Sequence, residues 1–178
     1  SFFRNPVLLD ALENAKKKGK KVHVMGLISS GSVHSHRDHF SALLRLGKQV
    51  GVDQMYLHAF TDGRDSAPTS GIQVIREILK EMQLGGLGKL ASLSGRNFAM
   101  DRNNNWDRIA KTYKMLTEGI GEKTDDPLIC LEQNYLKNIT DEYIEPTVIE
   151  NGGKPVALIE EGDTVIFFNF REDRAREL

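Results

Sequence analysis

Residues 21–28 read KVHVMGLI and residues 53–60 read DQMYLHAF, and both are mostly apolar runs of strand length. Between them, the apolar residues of segment 35–50 recur at helical spacing, so that Phe40, Leu43 and Leu44 fall on one side. A strand, a helix and a second strand in this order indicate a right-handed βαβ unit with parallel strands. The sequence therefore predicts an α/β fold built on a parallel sheet.

The alternation of helices and strands continues to the end of the chain. Further strands are predicted at 89–93 and 164–168, and the second is so continuously apolar that it indicates a central strand buried on both faces. Asn151-Gly152-Gly153, between 147–150 and 155–159, indicates a hairpin. Helices are predicted at 6–18, from residue 70 to about 82, from residue 105 to about 120, and at 127–136. We expect a single domain over 1–178, a three-layer α/β/α domain with a mainly parallel sheet plus a hairpin.

The helix predicted after Asn105 and the last residues of the chain lead to two more specific expectations. In that helix, Ile109, Tyr113, Leu116 and Ile120 are expected to share the apolar face. Residues 174–178 look like the opening of another helix, which suggests a domain that continues in a longer protein.

Composition excludes several classes of function. The chain has 178 residues and a formal net charge of −1, so it lacks the general positive field that non-specific nucleic-acid binding requires. No apolar run approaches the ~20 residues of a membrane span. Cys130 is the only cysteine, which rules out an intrachain disulfide and favours a reducing compartment. We expect a cytoplasmic protein with neither a nucleic-acid nor a membrane partner.

Three predicted strand ends run into loops that carry arginine. These loops contain DGRD at 62–65, SGR at 94–96 followed by MDR at 100–102, and NFREDR at 169–174. Ligands of open α/β sheets bind at the carboxyl ends of the strands, so the loops are expected to converge. The guanidiniums concerned are those of Arg64, Arg96, Arg102, Arg171 and Arg174, called here the arginine cluster. Because guanidinium forks match carboxylate and phosphate groups, the cluster predicts a site for a small, multiply charged anion.

Two other side chains are expected at this edge. Asp65 has the wrong charge for an anion clamp, but its carboxylate could accept a proton from a substrate hydroxyl. The alternative is a simple Asp-Gly turn with a surface ion pair. His34 follows the first strand and could donate a hydrogen bond or a proton to an anionic substrate. Arg171 and Arg174, three residues apart, are expected on one face of a helix whose N-terminus would add positive charge.

The string HSHRDH at 34–39 allows a different interpretation. It fits the H-x-H-x-D-H signature of metallo-β-lactamase-like hydrolases, in which imidazoles and a carboxylate hold zinc. The candidate ligands are His34, His36, Asp38 and His39. That family also needs histidines well downstream, whereas His58 is the last histidine here. A polar loop that enters a helix is the simpler interpretation.

The strings taken together resemble the cofactor-independent, or 2,3-bisphosphoglycerate-independent, phosphoglycerate mutases. GLISSGSVHSH at 26–36 resembles that family's GL-S-GGVHSH string, with Ser32 where glycine is usual. The other matching strings, in order and spacing, are DGRD at 62–65, LSGR at 93–96, MDR at 100–102, WDR at 106–108 and NFREDRA at 169–175. Glu172 stands where proline is common. The resemblance covers almost the whole chain.

The resemblance implies a glycolytic isomerase that interconverts 2-phosphoglycerate and 3-phosphoglycerate through a phosphoserine intermediate. A phosphatase-like domain, absent from this chain, would carry the serine and two Mn²⁺ ions, so no metal is expected here. This chain would be the substrate-binding, transferase domain, inactive alone. The implied substrate-binding residues are His34, Arg64, Asp65, Arg96, Arg102, Arg171 and Arg174, with Asp65 and His34 as the catalytic pair and Asp65 carrying the proton. A zinc hydrolase and a non-catalytic anion-binding module remain as alternatives.

Overall fold

The computed structural model describes residues 2–178 as a sheet of seven strands with helices on both of its faces. The strands are β1 (Val22–Ile28), β2 (Met55–Thr61), β3 (Lys89–Gly95), β4 (Glu122–Thr124), β5 (Thr147–Asn151), β6 (Lys154–Pro155) and β7 (Thr164–Phe167). The helices are α1 (Pro6–Lys18), α2 (Arg37–Val50), α3 (Gly71–Gly85), α4 (Arg96–Ala99), α5 (Trp106–Glu118) and α6 (Pro127–Leu136). Short 3-10 turns span Phe2–Arg4, Asp141–Tyr143 and Glu172–Arg174.

The sheet has the strand order β4-β5-β3-β2-β1-β7, with β6 paired to β5. Strand β1 runs parallel to both β2 and β7, and β2 runs parallel to β3. Strand β5 runs antiparallel to β3, β4 runs parallel to β5, and β6 runs antiparallel to β5. The predicted α/β class and the mainly parallel sheet with a hairpin are confirmed.

Two cores, one on each face of the sheet, produce the three layers. Val24 and Ile28 of β1 join the core formed with α1, α2, α3 and α6. Met25 and Leu27, which alternate with them, join the core formed with α4 and α5. Successive side chains of a strand point to opposite faces, so β1 must be mostly apolar when both faces are covered. That is why residues 22–28 are apolar except for His23, which is buried as well.

Capping residues fix the ends of several helices at the positions that the sequence predicts. The Asn5 side chain accepts hydrogen bonds from the N–H groups of Val7 and Leu8 at the start of α1, and Asp126 does the same at the start of α6. Gly19 ends α1 with φ of 62°, a conformation that favours glycine. Among residues 2–178, no helix has the length and apolar character needed to cross a membrane.

The prediction of a central last strand is wrong. Strand β7 lies at an edge of the sheet, paired with β1, and the Val165 side chain on it is 47% exposed. In this strand only Ile166 is buried, so apolar composition specified neither burial on both faces nor the number of neighbouring strands. The hairpin is also shorter than predicted, because the chain leaves the sheet after Pro155 and the Ile159 N–H donates to Leu116 O.

Two predicted helical features also differ from the structure. The buried face of α5 consists of Ile109, Thr112, Met115 and Leu116. Tyr113 lies outside this face and is 54% exposed, while Ile120 lies beyond the end of the helix. After β7 the chain forms only the 3-10 turn Glu172–Arg174 rather than a helix, so Arg171 and Arg174 receive no helix dipole within the part of the chain described.

Candidate functional site

Four loops meet at the carboxyl edge of the parallel strands, as predicted. The loop after β1 contacts the loop after β7, where the Phe170 N–H donates to His34 O over 2.8 Å. The loop after β3 contacts the same segment through Arg174, whose Nη1 donates to Met100 O over 3.0 Å. The loops after β1 and β2 are so close that a Cβ on Gly31 would lie 2.7 Å from Asp65 O.

Arg96 occupies the centre of this edge. Its side chain is 3% exposed, and Nη1 donates to Asp62 Oδ1 over 2.7 Å and to Asp65 Oδ2 over 2.6 Å. Nη2 lies 3.1 Å from His34 Nε2. Burial alone would lower the pKa of Arg96, but the hydrogen bonds to Asp65 and Asp62 outweigh burial and raise that pKa. Arg96 is therefore a charged group that fixes three other side chains.

The contact with Arg96 determines the state of His34. A guanidinium can only donate, so His34 Nε2 must accept and the ring proton must sit on Nδ1. Burial lowers the pKa of His34, and the charges of Arg96 and Arg171 lower it further. The ring is accordingly neutral. Its Nδ1 is buried and has no hydrogen-bond partner among residues 2–178.

The other four arginines lie outside this centre. Arg64 is exposed over 58% of its side chain and reaches Glu142 Oε1 only at 3.8 Å. Arg102 and Arg171 share one oxygen of Asp173, at 3.0 and 3.1 Å. Burial lowers the pKa of Arg174, as do the charges of Arg102 and Arg96.

The charges of Arg102, Arg96 and Arg64 all act on Arg174, so these guanidiniums lie within electrostatic range of it. Their positive charge is only partly balanced by carboxylates. Polyvalent anions suit such a surface, because guanidinium forks bind carboxylate and phosphate oxygens in pairs. The structure thus brings together all the residues that the sequence singled out at this edge.

Asp62 is the residue at this edge that the sequence analysis did not select. Its side chain is 2% exposed and accepts from Ser29 Oγ over 2.5 Å, as well as from Arg96. Burial would raise the pKa of Asp62, but the hydrogen bonds from Ser29, the Asp65 N–H and Arg96 lower it. In the sequence, Asp-Gly is an ordinary turn signal, and nothing local distinguishes a buried carboxylate from an exposed one.

The HSHRDH string does not form a zinc site. His36 caps α2, where its Nδ1 accepts from the Asp38 N–H, and the Asp38 side chain is 74% exposed. The ring of His39 stacks on Phe2 with 6.1 Å between the centroids. Across residues 2–178, no group of three or more His, Cys, Asp or Glu side chains is arranged to hold a metal ion. The string is a loop that enters a helix, and the zinc interpretation is wrong.

The comparisons with known proteins agree with one another. The family model described as the BPG-independent PGAM N-terminus matches residues 1–178. The 2,3-bisphosphoglycerate-independent phosphoglycerate mutase of Clostridium perfringens (strain ATCC 13124) is 49% identical over 178 residues, which are 100% of this chain and 35% of the relative. That of Thermomicrobium roseum is 49% identical over 179 residues, 100% of this chain and 34% of the relative. The chain thus spans about a third of the length of these relatives.

A solved structure shares the fold. Phosphoglycerate mutase from Leishmania mexicana, crystallised at low cobalt concentration, superposes with a TM-score of 0.87 and 28% sequence identity. The superposition covers 94% of this chain and 32% of the Leishmania chain.

Proposed function

The chain belongs to the BPG-independent phosphoglycerate mutase family, whose N-terminal model it matches, and we propose that it is the substrate-binding, transferase domain of such an enzyme. The substrates would be 2-phosphoglycerate and 3-phosphoglycerate, each with a carboxylate and a phosphate. The observation that carries the proposal is the Asp65 carboxylate, held by Arg96 beside Nε2 of His34 and among further guanidiniums.

The reaction divides between this chain and the rest of the enzyme. The phosphoryl group would pass from the substrate oxygen to a serine outside this chain, with the serine hydroxyl losing a proton and the substrate oxygen gaining one, and the freed glycerate would reorient. The other hydroxyl would then attack the phosphoserine and give up its proton as the new phosphoester forms, and the serine oxygen that leaves would be protonated again. In this scheme Asp65 accepts the proton, while the outer arginines and His34 hold the anionic groups in line. Positioning and electrostatics supply most of the catalysis in phosphoryl transfer.

The family resemblance also implies two Mn²⁺ ions, a phosphatase-like partner domain and a cytoplasmic location for the parent enzyme. Residues 2–178 contain no group of three or more His, Cys, Asp or Glu side chains arranged to hold a metal ion. The metal ligands and the serine are proposed to lie in the partner domain.

The test of the proposal is Asp65→Asn in the full-length protein, assayed for mutase turnover. An amide still binds a hydroxyl but does not accept its proton, so kcat should fall by about 10²–10⁴-fold, with a much smaller change in KM. Asp38→Asn, at an exposed position in α2, is the matched control and should leave both constants unchanged.

Two results would contradict the proposal. Normal kcat in Asp65→Asn would reduce Asp65 to a binding residue. A wild-type full-length protein that binds phosphoglycerate without turning it over would favour the non-catalytic anion-binding module. The isolated 178-residue chain serves as the blank, and it should show no turnover.

A further inference from the structure

Asp62 has a complete set of contacts but is too enclosed to reach a ligand. Its Oδ2 accepts from Ser29 Oγ. Its Oδ1 accepts from the backbone N–H groups of Arg64 at 3.2 Å and Asp65 at 3.0 Å, and from Arg96 Nη1 at 2.7 Å. Four donors therefore surround a carboxylate that is 2% exposed. Asp62 can influence the chemistry of the site only through its neighbours.

The neighbours of Asp62 include both the backbone and the side chain of Asp65. Oδ1 of Asp62 holds the Asp65 N–H directly. Arg96 Nη1 has two hydrogens, and the two carboxylates that it contacts are those of Asp62 and Asp65. One guanidinium nitrogen thus sets the separation between the two carboxylates. Ser29 anchors the arrangement to the loop that follows β1.

Among residues 2–178, the hydrogen-bond and ion-pair contacts of the Asp65 carboxylate all fall on one of its two oxygens. Arg96 donates to Oδ2, and His34 Nε2 approaches the same oxygen at 3.5 Å. Oδ1 of Asp65 is the oxygen left to meet a substrate hydroxyl. The position of the Arg96 guanidinium determines which oxygen of Asp65 stays without a partner. Asp62 is the second carboxylate that holds this guanidinium in place.

We propose that Asp62 is the positioning residue for proton transfer by Asp65, acting through Arg96 and through the 62–65 turn. The inference rests on the proposed function, since it assigns a role within that reaction. Turn formation alone does not explain the residue. An asparagine could accept the same backbone N–H groups and bond Ser29, but it would lack the charge that holds Arg96.

The experiment is a double-mutant cycle in the full-length protein, with Asp62→Asn, Asp65→Asn and the pair. Asp62→Asn should lower kcat by about 10- to 100-fold, with a smaller change in KM, because misplacing a catalytic group by about 1 Å costs up to about 10²-fold. In the Asp65→Asn background the same change should have almost no further effect on kcat, since the group that Asp62 positions can no longer accept the proton.

The matched control is Asp163→Asn. The Asp163 side chain is equally buried, at 2% exposure; it is ion-paired to Lys21 and hydrogen-bonded to His23. It immediately precedes β7 and so lies at the N-terminal ends of the parallel strands, whereas the arginine cluster lies at their carboxyl ends. Asp163→Asn should leave kcat per folded molecule unchanged in the wild-type and the Asp65→Asn backgrounds, even if it lowers the free energy of unfolding.

The outcomes separate the inference from the function on which it rests. If the wild-type protein lacks mutase turnover, the proposed function fails first. If turnover and the Asp65→Asn loss are as expected, then normal kcat in Asp62→Asn, or an equal loss in both backgrounds, would overturn the positioning role.

Should Asp62→Asn not fold, Ser29→Ala removes one donor to Asp62 and keeps the charge. Its kcat loss, of up to about 10-fold, should likewise vanish in the Asp65→Asn background, and persistence there would overturn the role.

Discussion

Arg64 and Arg96 have the same chemistry and different surroundings at one edge of the sheet. Arg96 is 3% exposed, and it donates to two carboxylates and an imidazole, so most of its donors are committed within the protein. Arg64 is 58% exposed and has only a loose contact with Glu142. Of the two, Arg64 is the one free to close on a substrate anion, and Arg96 organises the groups beneath it.

Arg64→Lys should weaken phosphoglycerate binding, because an ammonium group cannot reproduce the bidentate fork. Loss of one charge-assisted pair should cost on the order of 1.5–3 kcal/mol of binding free energy. Titration calorimetry of the full-length protein measures this loss. Arg76→Lys, at an exposed position in α3, is the control and should bind as the wild type does. Equal affinities for both variants would show that Arg64 is only a surface partner of Glu142.

At the scale of elements, a buried carboxylate joins α3, α6 and the turn at Asp141–Tyr143. Asp141 is 0% exposed and accepts from the Gly71 N–H over 2.7 Å and from the Tyr135 hydroxyl. Burial raises the pKa of Asp141. Gly71 is required here, since a Cβ at that position would lie 2.6 Å from Asp141 Oδ1. The same turn lies against the 62–65 loop, so its packing supports the site.

Tyr135→Phe should destabilise the chain by about 1–3 kcal/mol, the usual cost of leaving a buried polar group without a partner. The hydroxyl also accepts from the Ile72 N–H at 3.3 Å, so both Asp141 and the start of α3 lose a partner. Urea unfolding followed by circular dichroism gives the difference in free energy of unfolding. Tyr113→Phe, where the ring is 54% exposed, is the matched control and should change it little. A Tyr135→Phe chain as stable as the control would mean that the Asp141 contacts add nothing to stability.

At the scale of the whole molecule, a chain of buried polar groups crosses the sheet. Ser92 Oγ lies 2.7 Å from His58 Nδ1, His58 Nε2 lies 2.8 Å from His23 Nδ1, and His23 Nε2 lies 3.0 Å from Asp163 Oδ2. The carboxylate only accepts, so His23 donates to it and accepts from His58, which in turn accepts from Ser92. Both imidazoles are neutral in this order. Burial lowers the pKa of His58 to about 3 and also lowers that of His23.

Stability should therefore fall as the solution is acidified from neutral pH. The unfolded histidines take up protons near pH ~6.5, whereas folded His58 does so only near pH 3, so each proton bound favours the unfolded chain. The contribution of His58 to the slope should reach about 1.4 kcal/mol per pH unit. Urea unfolding between about pH 7 and pH 5 tests this. His58→Gln should reduce the slope. A free energy of unfolding that does not change with pH would contradict the neutral chain.

The sequence by itself determined most of the helices and strands, though not α4 or β4, and it predicted at which ends of the strands the arginine loops lie. Apolar spacing is a local property, and Asn5 and Asp126 cap the helices they precede. The convergence of the arginine loops also followed, because parallel strands place their carboxyl ends along one edge.

The tertiary structure alone decided the order of the strands and which polar groups at the strand ends are buried and which are exposed. Strand β7 is as apolar as a central strand and yet lies at the edge, because strand pairing is settled between segments far apart in the chain. Asp62 and Asp65 belong to one short motif, yet one is buried beneath Arg96 and the other stays accessible to a substrate. Burial and ion pairing depend on the distances between loops, which local spacing does not encode.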